Sequence, residues 1–283
     1  MRGIHTALVT PFTDDDRVDL PALEALCERQ IDAGIDGLVA CGTTGETPTL
    51  RGEEWRDVVA TVVKATNGRV TVTAGVGTND TRSTVERVEQ AAELGCDAGL
   101  MVFPYYNKPN PDGLRAHVRA ALAPGLPLVL YHVPGRTAQT LPAPLLAELA
   151  SMDGVVAVKE ATGDLRYGGD LIERTETPVL SGDDFTFLPL LSLGGTGCVS
   201  VLSNVAPQQT LAVQEAFEAG QHREAASRMR RLWPLTTFLF ATTNPVPCKA
   251  ALAELGLCKP HVRLPLAPWD GPSPREILDR VFA

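Results

Sequence analysis

The sequence predicts an α/β chain folded as a (β/α)8 TIM barrel with additional C-terminal helices. Three observations predict it. Eight short apolar runs recur along the chain, each followed by a helical pattern, and successive runs start about 19 to 33 residues apart, the length of one βα unit. Eight such units fit a chain of 283 residues, since a barrel of this kind takes about 250.

The runs are Ala7–Thr10, Gly37–Ala40, Val70–Ala74, Gly99–Phe103, Leu128–His132, Val155–Lys159, Val179–Ser181 and Cys198–Val201. Most are continuous rather than alternating, as strands buried on both faces are. Val70-Thr-Val-Thr73 alternates, but in β-branched residues that suit a strand. Between the runs, Leu20–Ala33 carries Leu23, Leu26, Cys27 and Ile31 at near-helical spacing, with Pro21 in its first turn and Gly34 as its stop. Glu53–Ala65, Thr81–Leu94, Leu114–Leu122, Leu141–Ala150 and Ala206–Glu218 read alike, with Gly95 and Gly220 at helix stops. Arg223–Ala241, Cys248–Leu255 and Pro274–Phe282 supply the C-terminal helices. The expected organisation is a barrel over residues 1–222 and a helical extension over 223–283, with no linker or charge run dividing the chain. An open doubly wound sheet is the competing architecture. It lacks the G-x-G-x-x-G expected after its first strand.

Composition narrows the function. Lys and Arg number 25 against 34 Asp and Glu, a net charge of −9, which argues against a nucleic-acid partner. Hydrophobic residues are 44% and charged residues 21%, ordinary globular usage. No apolar run approaches the roughly 20 residues of a membrane span. The first ten residues carry one positive charge and a short apolar stretch before Pro11, short of a signal-peptide core. The cysteines at 27, 41, 96, 198, 248 and 258 form no C-x-x-C. A reduced, cytoplasmic, metal-free protein is expected.

A barrel places its chemistry at the C-terminal ends of its strands. Lys159 ends the apolar run Val155-Val-Ala-Val. Aimed into the barrel mouth, its amine would be a nucleophile for a carbonyl substrate, because burial disfavours the charged form. Read alone, such a residue is more often a strand-end lysine that reaches water. Tyr131-His-Val-Pro-Gly-Arg136-Thr137 follows the fifth run. Tyr131 can pass a proton and Arg136 offers a fork for a carboxylate. His132 is a candidate base, or a structural histidine. Cys41-Gly-Thr43-Thr44-Gly-Glu46 follows the second run, and its glycines, hydroxyls and N–H groups suit a carboxylate. Pro104-Tyr-Tyr106-Asn-Lys-Pro109 is a stiff aromatic loop, suited to a binding site or an interface. Asp183 and Asp184 after the seventh run could hold Mg²⁺ or simply begin a helix.

Taken together, Gly42-Thr-Thr-Gly-Glu46, Pro104-Tyr-Tyr-Asn107, Tyr131-His-Val-Pro-Gly-Arg-Thr137, Val158-Lys-Glu-Ala-Thr-Gly163 and Ser181-Gly-Asp-Asp184 resemble the dihydrodipicolinate synthase and N-acetylneuraminate lyase family of class I pyruvate aldolases. The resemblance runs from Ala7-Leu-Val-Thr-Pro-Phe12 to Val262-Arg-Leu-Pro-Leu266 and is nearest to the synthase branch. It implies that Lys159 forms an imine with pyruvate and that Tyr131 relays protons. It implies that Thr43 links Tyr131 to Tyr106 of a neighbouring subunit and that Thr44 holds the pyruvate carboxylate. Arg136 would bind the carboxylate of L-aspartate 4-semialdehyde, with the Val199 carbonyl and Gly182 beside the substrate. The implied product is 4-hydroxy-tetrahydrodipicolinate, on the way to lysine and diaminopimelate. No cofactor is implied, since the imine on Lys159 is the electron sink. The implied assembly is a homotetramer, a dimer of dimers.

Two departures stand out. His132 replaces the usual Asn of its motif, and is expected either to tune the surroundings of Tyr131 or to alter the acceptor. Gly52, Trp55 and Ser83 replace the histidine and acidic side chains of lysine-inhibited members, while Asn79 and Tyr105 fit that pattern; weak or absent lysine feedback is implied. The rival reading is another Schiff-base 2-oxo acid aldolase, deaminase or dehydratase of the family. Arg136 discriminates, because neuraminate lyase-like members usually lack it.

Overall fold

The computed structural model describes residues 1–283. The strands are β1 (Gly3–Ala7), β2 (Gly37–Ala40), β3 (Thr71–Gly75), β4 (Ala98–Val102), β5 (Leu128–His132), β6 (Val155–Glu160), β7 (Val179–Ser181) and β8 (Gly197–Ser200). They neighbour one another in that order in a closed barrel, the architecture the sequence predicts. The helices are α1 (Leu20–Asp32), α2 (Gly52–Thr66), α3 (Thr81–Glu93), α4 (Pro111–Leu122), α5 (Pro134–Thr137), α6 (Ala143–Ala150), α7 (Leu165–Arg174), α8 (Phe187–Ser192), α9 (Leu202–Val205), α10 (Pro207–Glu218), α11 (His222–Leu239), α12 (Val246–Glu254) and α13 (Arg275–Phe282).

Two compact units make up the chain. One is Met1–Gly3 with Val72–Val199. Within it β4, β5, β6 and β7 pair in parallel, and the strand cores Leu128, Val129, Leu130, Ala157 and Val158 are fully buried. The other is Ile4–Thr71 with Ser200–Ala283, where β1 pairs in parallel with β2 and the C-terminal helices α9 to α13 are collected.

The differences from the sequence expectation have local causes. The first strand is Gly3–Ala7, not Ala7–Thr10. Its His5 and Thr6 are buried polar residues that a search for apolar runs passes over. Thr6 Oγ1 lies 2.9 Å from Gln30 Oε1 and 2.8 Å from Ser203 Oγ, so its hydroxyl is satisfied and burial is tolerated. Helix α4 starts three residues before Leu114, because Asn110 Oδ1 caps the Gly113 N–H at 2.9 Å and Pro111 takes the first helical position. The helical patterns expected after the sixth and seventh runs carried no assigned bounds. Helix α7 contains Gly168 and Gly169, and α8 is only six residues long with Pro189 inside it. Gly168 serves packing: a Cβ there would stand 2.7 Å from Leu190 Cδ1 of α8.

Candidate active site

Strands β5 and β6 set the centre of the first unit. Their register pairs Tyr131 with Lys159 and His132 with Glu160. Side chains alternate along a strand, so Tyr131 and Lys159 share one face and His132 and Glu160 the other. Lys159 Nζ stands 4.1 Å from the centroid of the Tyr131 ring. Both residues are buried, Lys159 with 6% and Tyr131 with 5% of their surface exposed. A strand-end lysine reaching water would not be. The ring face attracts an ammonium and holds the amine in place.

Gly182 follows β7 and completes this group. Its N–H donates to the Glu160 carbonyl at 2.6 Å. A Cβ on Gly182 would lie 2.7 Å from Ala161 Cβ, 2.8 Å from Lys159 Cε and 2.9 Å from Lys159 Cγ. The missing side chain is thus the space through which Lys159 runs. Ala161 Cβ is anchored to the backbone and cannot yield, so Gly182→Ala displaces the lysine. The expected result is a roughly 10²-fold fall in kcat with about 1–3 kcal/mol of lost stability, read by steady-state kinetics and thermal melting. A variant with wild-type kcat would show that the chain relaxes around the methyl.

His132 is fully buried on the opposite face. Its ring packs edge-on against Phe103, at 6.1 Å between centroids, and tilted against Tyr167 of α7, at 5.4 Å. Of the two readings the sequence left open, this is the structural histidine and not the base: the strand pleat turns His132 away from the Lys159 amine. Burial pushes its imidazole down to about 4, so it is neutral at pH 7. The unfolded chain, with an ordinary histidine near 6.5, takes up the proton first. Stability on this account is complete above about pH 6.5 and falls by up to about 3 kcal/mol as pH drops toward 4. Glu160 opposes this slope, because burial raises its carboxyl and the folded state then favours its protonated form. His132→Asn isolates the histidine: melts at pH 7.5 and 4.5 are expected to show a smaller acid loss in the variant. Equal losses would assign the slope elsewhere.

The remaining acidic candidates are engaged with the chain itself. Glu160 Oε1 accepts the Thr162 N–H at 2.6 Å. Asp183 Oδ1 accepts the Phe185 N–H at 2.8 Å, and burial raises its carboxyl. Asp184 is buried, with the Cys198 thiol 3.8 Å from its Oδ1. Arg136 is exposed on the single turn of α5, which Pro134 opens and Ala138, in the left-handed region at φ +56°, closes. Tyr106 is 89% exposed and held at φ +73°. Beside it the Asn107 side chain donates to the Asn79 carbonyl at 2.7 Å. Val199 is buried in β8.

Thr43 and Thr44 belong to the second unit, on the loop after β2. The loop turns sharply at both ends, with Cys41 at φ +52° and Glu46 at φ +54°. Thr10 Oγ1 donates to the Gly45 carbonyl at 2.8 Å. Thr44 is buried, and its Oγ1 accepts from Asn244 Nδ2 at 2.9 Å. The Thr44 hydroxyl therefore keeps its own proton to donate. Glu46 is buried beneath, paired with Lys249 of α12 at 2.5 Å. Burial pushes the Lys249 ammonium down, and the Glu46 carboxylate opposes the shift. Arg263 closes the outside of this cluster with two hydrogen bonds to Glu54, at 2.5 and 2.7 Å. It holds the Glu54 carboxyl down to about 2. Sequence reading missed Asn244 and Lys249. The one signal was a lysine inside the apolar stretch Val246-Pro-Cys-Lys-Ala-Ala-Leu252.

Known proteins resemble this chain over nearly its whole length. Residues 1–279 match the Dihydrodipicolinate synthetase family. The 4-hydroxy-tetrahydrodipicolinate synthase of Thermomicrobium roseum is 45% identical over 281 residues, covering 98% of this chain and 92% of its own. The crystal structure of the synthase from Acinetobacter baumannii, described as chloride-inhibited and complexed with pyruvate, superposes with a TM-score of 0.94 at 40% identity, covering 99% of this chain and 97% of that one. The structure of the enzyme from Methylacidiphilum fumariolicum gives the same TM-score at 38% identity over 100% of this chain and 95% of its own. The chain belongs to the dihydrodipicolinate synthetase family.

Proposed function

We propose that this chain condenses pyruvate with L-aspartate 4-semialdehyde, through a Schiff base on Lys159, to give 4-hydroxy-tetrahydrodipicolinate. The observation that carries the reading is the buried Lys159 amine lying 4.1 Å from the Tyr131 ring centroid, at the end of a barrel strand. The Lys159 amine adds to the C2 carbonyl of pyruvate, and loss of water from the carbinolamine leaves the imine. Tyr131 carries the protons these steps move. Thr43 and the Tyr106 of a neighbouring subunit complete its relay. Loss of a C3 proton turns the imine into an enamine, with the protonated nitrogen as electron sink. The enamine carbon attacks the aldehyde, and the substrate's own amine then attacks the imine carbon. That closes the ring and frees Lys159. No metal or organic cofactor enters these steps.

Two carboxylates must be held meanwhile. Thr44, whose hydroxyl proton is left free by Asn244, takes that of pyruvate. Arg136 takes that of the semialdehyde, a contact worth roughly 1.5–3 kcal/mol. Its exposure suits a residue at the entrance. The Val199 carbonyl and Gly182 line the substrate. A coupled assay with pyruvate, the semialdehyde, a dihydrodipicolinate reductase and NADPH tests the reading, with Lys159→Ala as control. NADPH oxidation lost in the variant supports it. A borohydride-trapped pyruvate adduct without turnover moves the chain to a sibling aldolase with another acceptor.

The same reading extends to assembly and setting. Tyr106, exposed and held in a left-handed conformation, suits a side chain donated to a neighbour in a homotetramer. One structural relative is described as a monomeric variant, so mass measurement in solution is the test. Six free thiols suit a cytoplasmic enzyme, and no helix is long and apolar enough to cross a membrane. Feedback by lysine is expected to be weak. Trp55 is buried, Gly52 offers no side chain, and Ser83 Oγ is bound to Asp80 at 2.7 Å. Assays are expected to show no inhibition at micromolar lysine; inhibition in that range would overturn the expectation.

A further inference from the structure

We infer that Lys249, acting through Glu46, is a positioning residue for the Thr43–Thr44 loop, so that helix α12 sets the affinity of the site for the pyruvate carboxylate. The inference rests on the reading of Thr44 as the residue that holds that carboxylate.

The pair is built to fix direction. Lys249 is wholly buried and Glu46 is 2% exposed. Lys249 Nζ donates to Glu46 Oε1 at 2.5 Å and to the His261 carbonyl at 2.8 Å, and stands 4.1 Å from the centroid of the Phe12 ring. Glu46 Oε2 accepts the Arg263 N–H at 3.0 Å. Both carboxylate oxygens of Glu46 thus have a fixed donor, and the side chain has one orientation. Its backbone lies in the left-handed region, at φ +54°, which a residue with a long side chain holds only where its surroundings dictate it. Glu46 is the last residue of the turn Cys41–Glu46, so its anchoring sets where Thr43 and Thr44 stand.

The grip has two points. Asn244 bonds Thr44 Oγ1 at 2.9 Å, and five residues later Lys249 bonds Glu46. The Lys249 N–H donates in turn at 2.9 Å to the carbonyl of Pro245, the residue after Asn244, which ties both holds to the start of α12. A buried ion pair contributes little net stability compared with apolar groups of similar shape. What it supplies here is orientation: two charged hydrogen-bonding groups accept far fewer geometries than a methionine and a glutamine do.

The experiment compares wild type with Lys249→Met, the double variant Glu46→Gln/Lys249→Met, and Thr44→Val. Thermal midpoint, pyruvate KM, kcat and borohydride trapping of pyruvate are measured for each. The double variant leaves no unpaired buried charge and is expected to melt close to wild type. Its pyruvate KM is expected to rise roughly 10-fold or more, the scale of one hydrogen bond to a charged group, with a smaller change in kcat. A folded double variant with wild-type pyruvate KM overturns the inference. So does a double variant that does not fold, since the pair then serves the fold alone. Thr44→Val separates the two readings. If it leaves pyruvate KM unchanged, the assignment of Thr44 falls and the inference with it. If it raises KM while the folded double variant does not, Thr44 stands and only the role of Lys249 is lost.

Discussion

Lys159→Ala is expected to lower kcat by on the order of 10⁴-fold or more, the scale seen when a nucleophile is deleted, and to end trapping of pyruvate by borohydride. The reason is chemical. Without the amine no imine forms, and without the imine the C3 proton of pyruvate has no electron sink. Intact mass after reduction with pyruvate reads the adduct directly, and peptide mapping places it. The variant is expected to fold, because the removed group ends a strand whose core, Ala157 and Val158, stays fully buried. An adduct that persists in the variant, on Lys249 or any other lysine, would sink the assignment. Lys249 is a useful contrast. It too is buried, but its amine is held by Glu46 and the His261 carbonyl and is not expected to be trapped.

Tyr131→Phe is expected to lower kcat by roughly 10² to 10⁴-fold, the range for loss of a positioned proton carrier. Phenylalanine keeps the ring, and with it the face that lies 4.1 Å from the Lys159 ammonium. Only the hydroxyl is lost. The lysine should therefore remain in place, and the adduct with pyruvate should still form, but slowly. A split of this kind, with slow imine formation and little change in thermal midpoint, separates proton transfer from packing. A variant within about 10-fold of wild type would mean that water carries the protons, since that loss is below the range for a side-chain relay. Removing the ring as well, in Tyr131→Ala, adds about 3–5 kcal/mol of lost stability.

Much of the fold was legible in the chain. The apolar runs at Gly37–Ala40, Leu128–His132 and Val179–Ser181 coincide with β2, β5 and β7. Strands buried on both faces advertise themselves by hydrophobicity alone. The strand at Gly3–Ala7 was displaced because His5 and Thr6 are buried with polar groups, which the same criterion reads as surface. Helices α7 and α8 carried no bounds because the adjacent Gly168 and Gly169 lower the helix propensity of the first and six residues are too few to show a period in the second.

The candidate site divides along the same line. Lys159 and Tyr131 were readable because each ends an apolar run, and strand ends are where a barrel exposes chemistry. The face of His132 needed the register, which sets it opposite Glu160 and away from Lys159.

What the sequence by itself determined is local: which residues form strands, which loops follow them, and which reactive groups stand at strand ends. Hydrophobic period and turn chemistry depend only on neighbours a few positions away. Tertiary structure alone decided what those groups touch. Gly182 became the channel for Lys159, Asn244 came to Thr44 across 200 residues, and Lys249 to Glu46 across 203. The physical reason is that a buried polar group must find its partner wherever closure of the chain brings one. That partner's sequence distance leaves no period to read.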